Sequence, residues 1–283
     1  MRPRLFRLLI AGVVLLSLVL TPASTAADDS LRPASIRYTQ VFTELHETLP
    51  AYLQEREGVV GVAVIIPATG EAFLENGHAT FELASIAKII TMLALLDQVR
   101  REGRDLTQDE ANLLEAMITI SDNDAADALW WQVGGAAGVT AFLHSIGVTD
   151  IEIDQDDFWG ASTASPAAIG ELLSLVLAGR VLDADQRILA LHLMMNTYPT
   201  QRWGVTAGLT DDPEGGDAVA VKDGWLPTDD GWTVNSVGMI LPGDGTDPYA
   251  LVIMPAEQPD LPYAVETIEG VGGLVNRTLA YAP

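Results

Sequence analysis

The distribution of strand-like and helix-like segments along the chain is what most restricts its fold. β-Branched and apolar runs fall near one end, at Val59–Pro67 and Glu71–Leu74, with Ala68-Thr69-Gly70 as a tight turn between them. Three more fall near the other end, at Ala218–Lys222, Trp232–Leu241 and Tyr249–Met254, separated by Asp/Gly/Pro turns. Between these two groups the apolar spacing is helical. Helices are expected from Ser85 to about Arg101, from a capping box at Thr107-Gln108-Asp109-Glu110 to about Thr119, and from the Ser121 region to Trp131. Gly138–Ile146, Ala167–Leu177 and Asp183–Asn196 read the same way. Two terminal helices complete the set. One carries Phe42, Leu45, Leu49 and Leu53 and is interrupted or kinked near Pro50; the other, Leu261–Tyr281, is weakened by Gly270, Gly272 and Gly273.

Strands at both ends with helices between them are satisfied by one antiparallel sheet assembled from both chain ends, flanked by the terminal helices. An all-helical subdomain is then inserted between the two halves, giving an α/β (α+β) fold. The expected division is an α/β subdomain of residues 38–84 and 205–283, and a helical subdomain of residues 85–204, together forming one catalytic domain. The cleft between them is the natural place for a site.

Arg2, Arg4 and Arg7 precede an apolar run, Leu8–Leu20, and then Thr21-Pro22-Ala23-Ser24-Thr25-Ala26-Ala27. This is the layout of a secretory signal over residues 1–26, followed by a tail at 27–37. The run of about 13 residues is short for a membrane span. The expectation is therefore a secreted, extracytoplasmic protein of the cell envelope, without stable membrane insertion once the signal is removed. Losing the three arginines takes the net charge from −24 to −27. A surface that acidic repels nucleic acid, so the expected partner is a small molecule and the expected state a monomer. There is no cysteine, and His46, His78, His144 and His192 are scattered, so neither metal nor organic cofactor is expected.

Residues Phe81-Glu82-Leu83-Ala84-Ser85-Ile86-Ala87-Lys88-Ile89-Ile90 carry the chemistry. Ile86, Ile89, Ile90, Leu93 and Leu96 recur at helical spacing, which puts Ser85 at a helix start and Lys88 on the same face one turn on. A serine hydroxyl needs an adjacent base to become a nucleophile. The plainer reading is a capping serine and a surface lysine. Lysine usage argues otherwise: among 15 Lys and Arg only Lys88 and Lys222 are lysine. A buried amine can give up its proton, whereas a guanidinium cannot.

Ser85-Ile86-Ala87-Lys88, Ser121-Asp122-Asn123 and Lys222-Asp223-Gly224 occur in that order. Taken singly, the second reads as a helix cap and the third as a strand running into a turn. As a set they resemble the class A β-lactamases and, more broadly, the penicillin-binding serine hydrolases, over roughly residues 38–282. The resemblance implies an acyl-Ser85 mechanism with Lys88 as proton acceptor or relay, and Lys222 beside it lowering the pKa of one of the two amines. It further implies Ser121 as proton carrier to the leaving nitrogen, Asn123 holding the substrate amide, and Asp122 ordering its loop. The backbone N–H groups of Ser85 and Trp225 would form the oxyanion hole, with Gly224 lining the same strand.

Two departures qualify the implied substrate. The residue beside Lys222 is Asp223, where the family carries Thr or Ser to bind a substrate carboxylate. An ionised acid 4 Å from that carboxylate would cost about 4 kcal/mol at an effective dielectric near 20, offset by Lys222 and Arg202 or by Asp223 pointing away. Second, the family's deacylating glutamate has no clear counterpart in the acidic loop 150–160. Ungapped counting from Asn123 lands on Asp157, one methylene short, while Glu152 stands at the wrong distance. The implied function is hydrolysis of a β-lactam or related amide or ester. Its rivals are a penicillin-binding D-alanyl-D-alanine carboxypeptidase or esterase acting on a peptidoglycan-derived substrate with slow deacylation, and a catalytically dead envelope-binding module.

Overall fold

The computed structural model describes residues 34–210 and 216–280. Residues 1–26 of the expected signal and 27–33 of the expected tail lie outside the described residues. The chain opens with α1 (Ala34–Leu53), which runs through Pro50 without a break in the assigned helix. The hairpin β1 (Val59–Ile66) and β2 (Glu71–Glu75) follows. After β3 (Phe81–Glu82) come the helices α2 (Ala87–Glu102), α3 (Gln108–Thr119), α4 (Asn123–Gln132) and α5 (Gly135–Ser145). Two-residue strands β4 (Ile151–Glu152) and β5 (Thr163–Ala164) join β3 in a small sheet, β5 pairing with both of the others, that the sequence did not suggest. Next are α6 (Pro166–Leu177) and α7 (Ala184–Met195). The chain finishes with β6 (Ala218–Thr228), β7 (Gly231–Leu241), β8 (Tyr249–Ala256) and α8 (Leu261–Ala280).

The main sheet is antiparallel in the order β2-β1-β8-β7-β6, so strands from the two ends meet where β1 pairs with β8, Val62 opposite Ile253. Its two faces bury two apolar clusters. One, with Val62, Val64, Leu251 and Ile253, lies under α1 and α8 through Leu45, Leu49, Ile268 and Val275. The other faces the helices and is centred on α2, whose Ile89, Ile90, Leu93 and Leu96 are buried. The expected architecture, a sheet from both ends with an inserted block of helices, is the one observed.

The glycines of α8 do not weaken it. A Cβ at Gly272 would lie 2.1 Å from the Gly204 carbonyl oxygen, and one at Gly270 would lie 2.0 Å from the Tyr52 hydroxyl. They are contact points where backbone and ring come closer to the helix than any side chain would allow, and the helix runs unbroken from Leu261 to Ala280 across them. Helix starts follow local chemistry. Thr107 and Glu110 form the expected capping box on α3, while Asp122, Ser165 and Asp183 cap α4, α6 and α7. Helix α2 has no side-chain cap; a 3-10 turn, Ala84–Ile86, leads straight into it.

Candidate active site

That 3-10 turn holds Ser85. Ala84 before it is a non-glycine residue with φ 47°, a costly backbone conformation held by surrounding packing. Ser85 is half-buried at the mouth of α2, and Lys88, in the first turn of that helix, is 1% exposed. Ser121 is a second non-glycine residue in the left-handed region, φ 59°. The cause is local: the Asp122 carboxylate accepts from Ala125 N at 2.7 Å to cap α4, which turns Ser121 back toward α2.

The two lysines then meet at one hydroxyl. Lys88 Nζ donates to Ser121 O at 2.6 Å, Ser121 Oγ at 3.1 Å and Asn123 Oδ1 at 2.7 Å. Lys222 Nζ donates to the same Ser121 Oγ at 3.0 Å and to the Asp223 carbonyl at 2.9 Å. Burial, with the neighbouring Lys222 charge second, pushes the Lys88 amine down to about 7, while the Asp122 and Asp127 carboxylates pull the other way. Burial also lowers Lys222. A primary amine near neutrality can exchange a proton with a serine hydroxyl, and a serine between two such amines can pass it on.

Strand β6 brings Lys222 in and fixes what its neighbours do. Side chains alternate faces along a strand, so Lys222 and Gly224 lie on one face of β6 and Asp223 on the opposite one. Gly224 faces Ser85 closely, a Cβ there coming 2.8 Å from Ser85 N and 3.1 Å from Ile86 N. No other residue fits. Across from it in β7, Asn235 donates to the Glu82 and Leu83 carbonyls at 2.8 and 3.1 Å and ties β7 to the approach to Ser85. Because β6 is the edge strand, its outward carbonyls find side-chain partners: Val219 O accepts from Arg202, Val221 O from Thr197 and Asp223 O from Lys222. The Trp225 ring itself packs 5.7 Å from that of Trp203.

Asp223 is turned to the other face. It is fully buried, accepts from Trp203 N at 3.1 Å and contacts the Ser236 hydroxyl opposite it in β7. Burial raises its pKa, and its second oxygen has no partner. The expectation of a free carboxylate repelling substrate in the cleft is corrected: strand alternation puts that group under the sheet. Arg202 likewise spends its guanidinium on the Met195 and Val219 carbonyls at 2.8 and 3.2 Å, tying α7 to β6.

Asp157 also has fixed work. Its Oδ1 accepts from Trp130 Nε1 at 3.0 Å and from Ala136 N at 2.7 Å, filling the capping role that Gly134 cannot supply to α5. Glu152 is exposed on β4. The loop residue that does reach the site is Trp159, whose ring centre lies 4.9 Å from Lys88 Nζ and whose Nε1 donates to Asp127 Oδ1 at 2.7 Å. Neither Trp159 nor Asn235 was singled out from sequence. The conspicuous Trp130-Trp131 pair instead splits into a buried ring and a surface one, 1% and 63% exposed.

Elsewhere, an 850 Å³ groove lies at the far ends of α2 and α4, lined by residues such as Arg100, Arg101, Gln132 and Phe142, and touches none of these groups. Among the described residues no group of three His, Cys, Asp or Glu is placed as a metal site would be.

Comparison with known proteins bears on the family and the fold. The sequence model of the Beta-lactamase enzyme family matches residues 44–111 and 110–279. A beta-lactamase of Streptomyces cellulosae is 26% identical, over 72% of this chain and 76% of its own length. LppW of Mycobacterium tuberculosis, whose name includes the word lipoprotein, is 29% identical over 65% of this chain, which spans only 59% of LppW. Among solved structures, the class A beta-lactamase reconstructed as the last common ancestor of Gram-negative bacteria superposes with a TM-score of 0.70 at 27% identity, covering 82% of this chain and 98% of that one.

Proposed function

The chain belongs to the beta-lactamase enzyme family, and on that footing we propose that it is an exported hydrolase acylated on Ser85 by a β-lactam or a related amide or ester. The observation that carries this reading is the single Ser121 hydroxyl held at 3.1 and 3.0 Å by the two lysine amines, directly behind the Ser85 turn.

In the proposed reaction the Ser85 oxygen attacks the acyl carbon and its proton passes to neutral Lys88. Ser121 transfers a proton to the leaving nitrogen, and Lys222 keeps positive charge beside it. Asn123 holds the substrate amide, and the backbone N–H groups of Ser85 and Trp225 receive the developing oxyanion. Such a donor is worth roughly 2.7–4 kcal/mol. With Asp157 engaged by Trp130 and α5, a carboxylate poised to activate the second water is not in evidence there, which favours slow release of the acyl group. The leader-like residues 1–26 and the envelope-type name of LppW support export.

The test is to incubate the protein lacking residues 1–26 with a fluorescent penicillin and locate the adduct by mass spectrometry. Label on Ser85, absent from Ser85→Ala, is expected. No adduct with penicillin or with an activated ester refutes the proposal in favour of a binding module.

A further inference from the structure

Lys88 has no free direction in this structure. Its tetrahedral nitrogen is bonded to Cε and aims its other three positions at Ser121 O, Ser121 Oγ and Asn123 Oδ1. The Trp159 ring centre lies 4.9 Å from the same nitrogen. Lys88 is 1% exposed, and the half-buried indole is one of the groups packed against its amine. The ring is anchored rather than loose. Asp127 on α4 accepts its N–H at 2.7 Å, and a negative partner on the indole N–H makes the ring face more attractive to an ammonium. The turn that carries it packs on the Ser85 turn: a Cβ at Gly160 would lie 3.9 Å from Ala84 Cα, and Leu83 N donates to Ser162 O at 2.8 Å. Position, anchor and backing all fix one side chain over one amine.

Resting on the acyl-Ser85 reading above, we infer that Trp159 is a positioning residue that keeps water from the acylated serine. Release of product needs a water oxygen to bond to the acyl carbon as the carbon–Oγ bond breaks. One water proton returns to Ser85 Oγ, and the product leaves as the free acid. The Lys88 amine can take that proton only once it has let go of one of its three acceptors, and the indole limits the room for water beside it. Acylation also needs a free position on Lys88 but no water beside it, since the proton that the amine then takes comes from Ser85 itself. The consequence is a long-lived acyl-enzyme whose lifetime is set by the indole.

The experiment follows attachment and loss of fluorescent penicillin separately, in the wild type, Trp159→Leu, Trp159→Phe and Asp127→Asn. Leucine is expected to speed loss of label about tenfold or more while the attachment rate changes about threefold or less. Phenylalanine keeps a ring over the amine and should restore slow loss, and Asp127→Asn, which leaves the ring but weakens its anchor, should fall between. Unchanged loss in Trp159→Leu overturns the inference while leaving acylation of Ser85 intact, as does an equal fall in attachment and loss. Absence of label from the wild type itself overturns the acyl-Ser85 reading, and this inference with it.

Discussion

Replacing Lys88 by methionine should change the pH dependence of stability in a direction and by an amount that the geometry fixes. The folded protein holds this amine at about 7 against an ordinary 10.5, chiefly by burial. At about 1.4 kcal/mol per unit, that displacement is about 5 kcal/mol. The sign follows from proton uptake. As pH falls through about 10.5 the unfolded chain takes up the proton, whereas the folded chain does so only near 7. Stability is therefore lost progressively between these values as the solution is acidified, and the full penalty persists below them. Methionine cannot titrate. It also leaves Ser121 O, Ser121 Oγ and Asn123 Oδ1 without their donor, roughly 1–3 kcal/mol for each that stays dry, but that cost does not vary with pH. The assay is urea unfolding of both proteins at pH steps from 6 to 10. The stability of wild type minus that of the variant should climb by about 1.4 kcal/mol per pH unit between roughly pH 7.5 and 10, and be flat below about pH 6.5. Two curves that stay parallel across this range would refute the claim that the amine is held near neutrality.

Glu110 gives the opposite sign. Its pKa is held down at about 2, chiefly by the Arg104 guanidinium. Its contribution is complete above the ordinary carboxylate pKa and disappears as pH falls toward 2. Glu110→Gln should cost on the order of 1–2 kcal/mol at pH 7 and almost nothing at pH 2, read by thermal melts at both. Gly224→Ala should lower the rate of penicillin labelling by about 100-fold with the fold retained by circular dichroism, because the new methyl would meet Ser85 N at 2.8 Å. Asp223→Thr should leave that rate within about threefold, since the carboxyl lies beneath the sheet; a large acceleration would mean that it reaches the cleft after all.

Much of this molecule is legible in its sequence wherever a residue acts through its own chain neighbours. The Thr107–Glu110 capping box, the ordering role of Asp122 and the β6–β7–β8 meander depend on spacings of two to four residues or on turns, and all were readable. The two lysines stand out in the sequence by their scarcity, and the fold brings both amines to one hydroxyl. What was not readable depends on register. Adjacent strand residues always face opposite ways, but which of Lys222 and Asp223 turns to the cleft is set by the register that puts Asp223 opposite Ser236. Asp157 looked like a site acid because counting places it in the loop, but its partner Trp130 lies 27 residues away in the chain. Trp159 carried no local signal at all, since its meaning comes from α2 and α4 arriving beneath it. The glycines of α8 misled for the same reason: propensity is a local rule, and Gly204 and Tyr52 are distant partners.

The pairing of Val62 with Ile253 has a consequence for how such a chain is made. The first hairpin emerges early in synthesis with one edge bare, and the strand that covers it is roughly 190 residues behind. Until then an apolar template is exposed to any other unfinished copy. Nothing in the sheet can close from the front end alone, and the strand bearing Lys222 is bound only through two others completed after it. Activity must therefore switch on all at once and last, after the whole polypeptide is available, and a truncated product should be not a weak enzyme but an insoluble one.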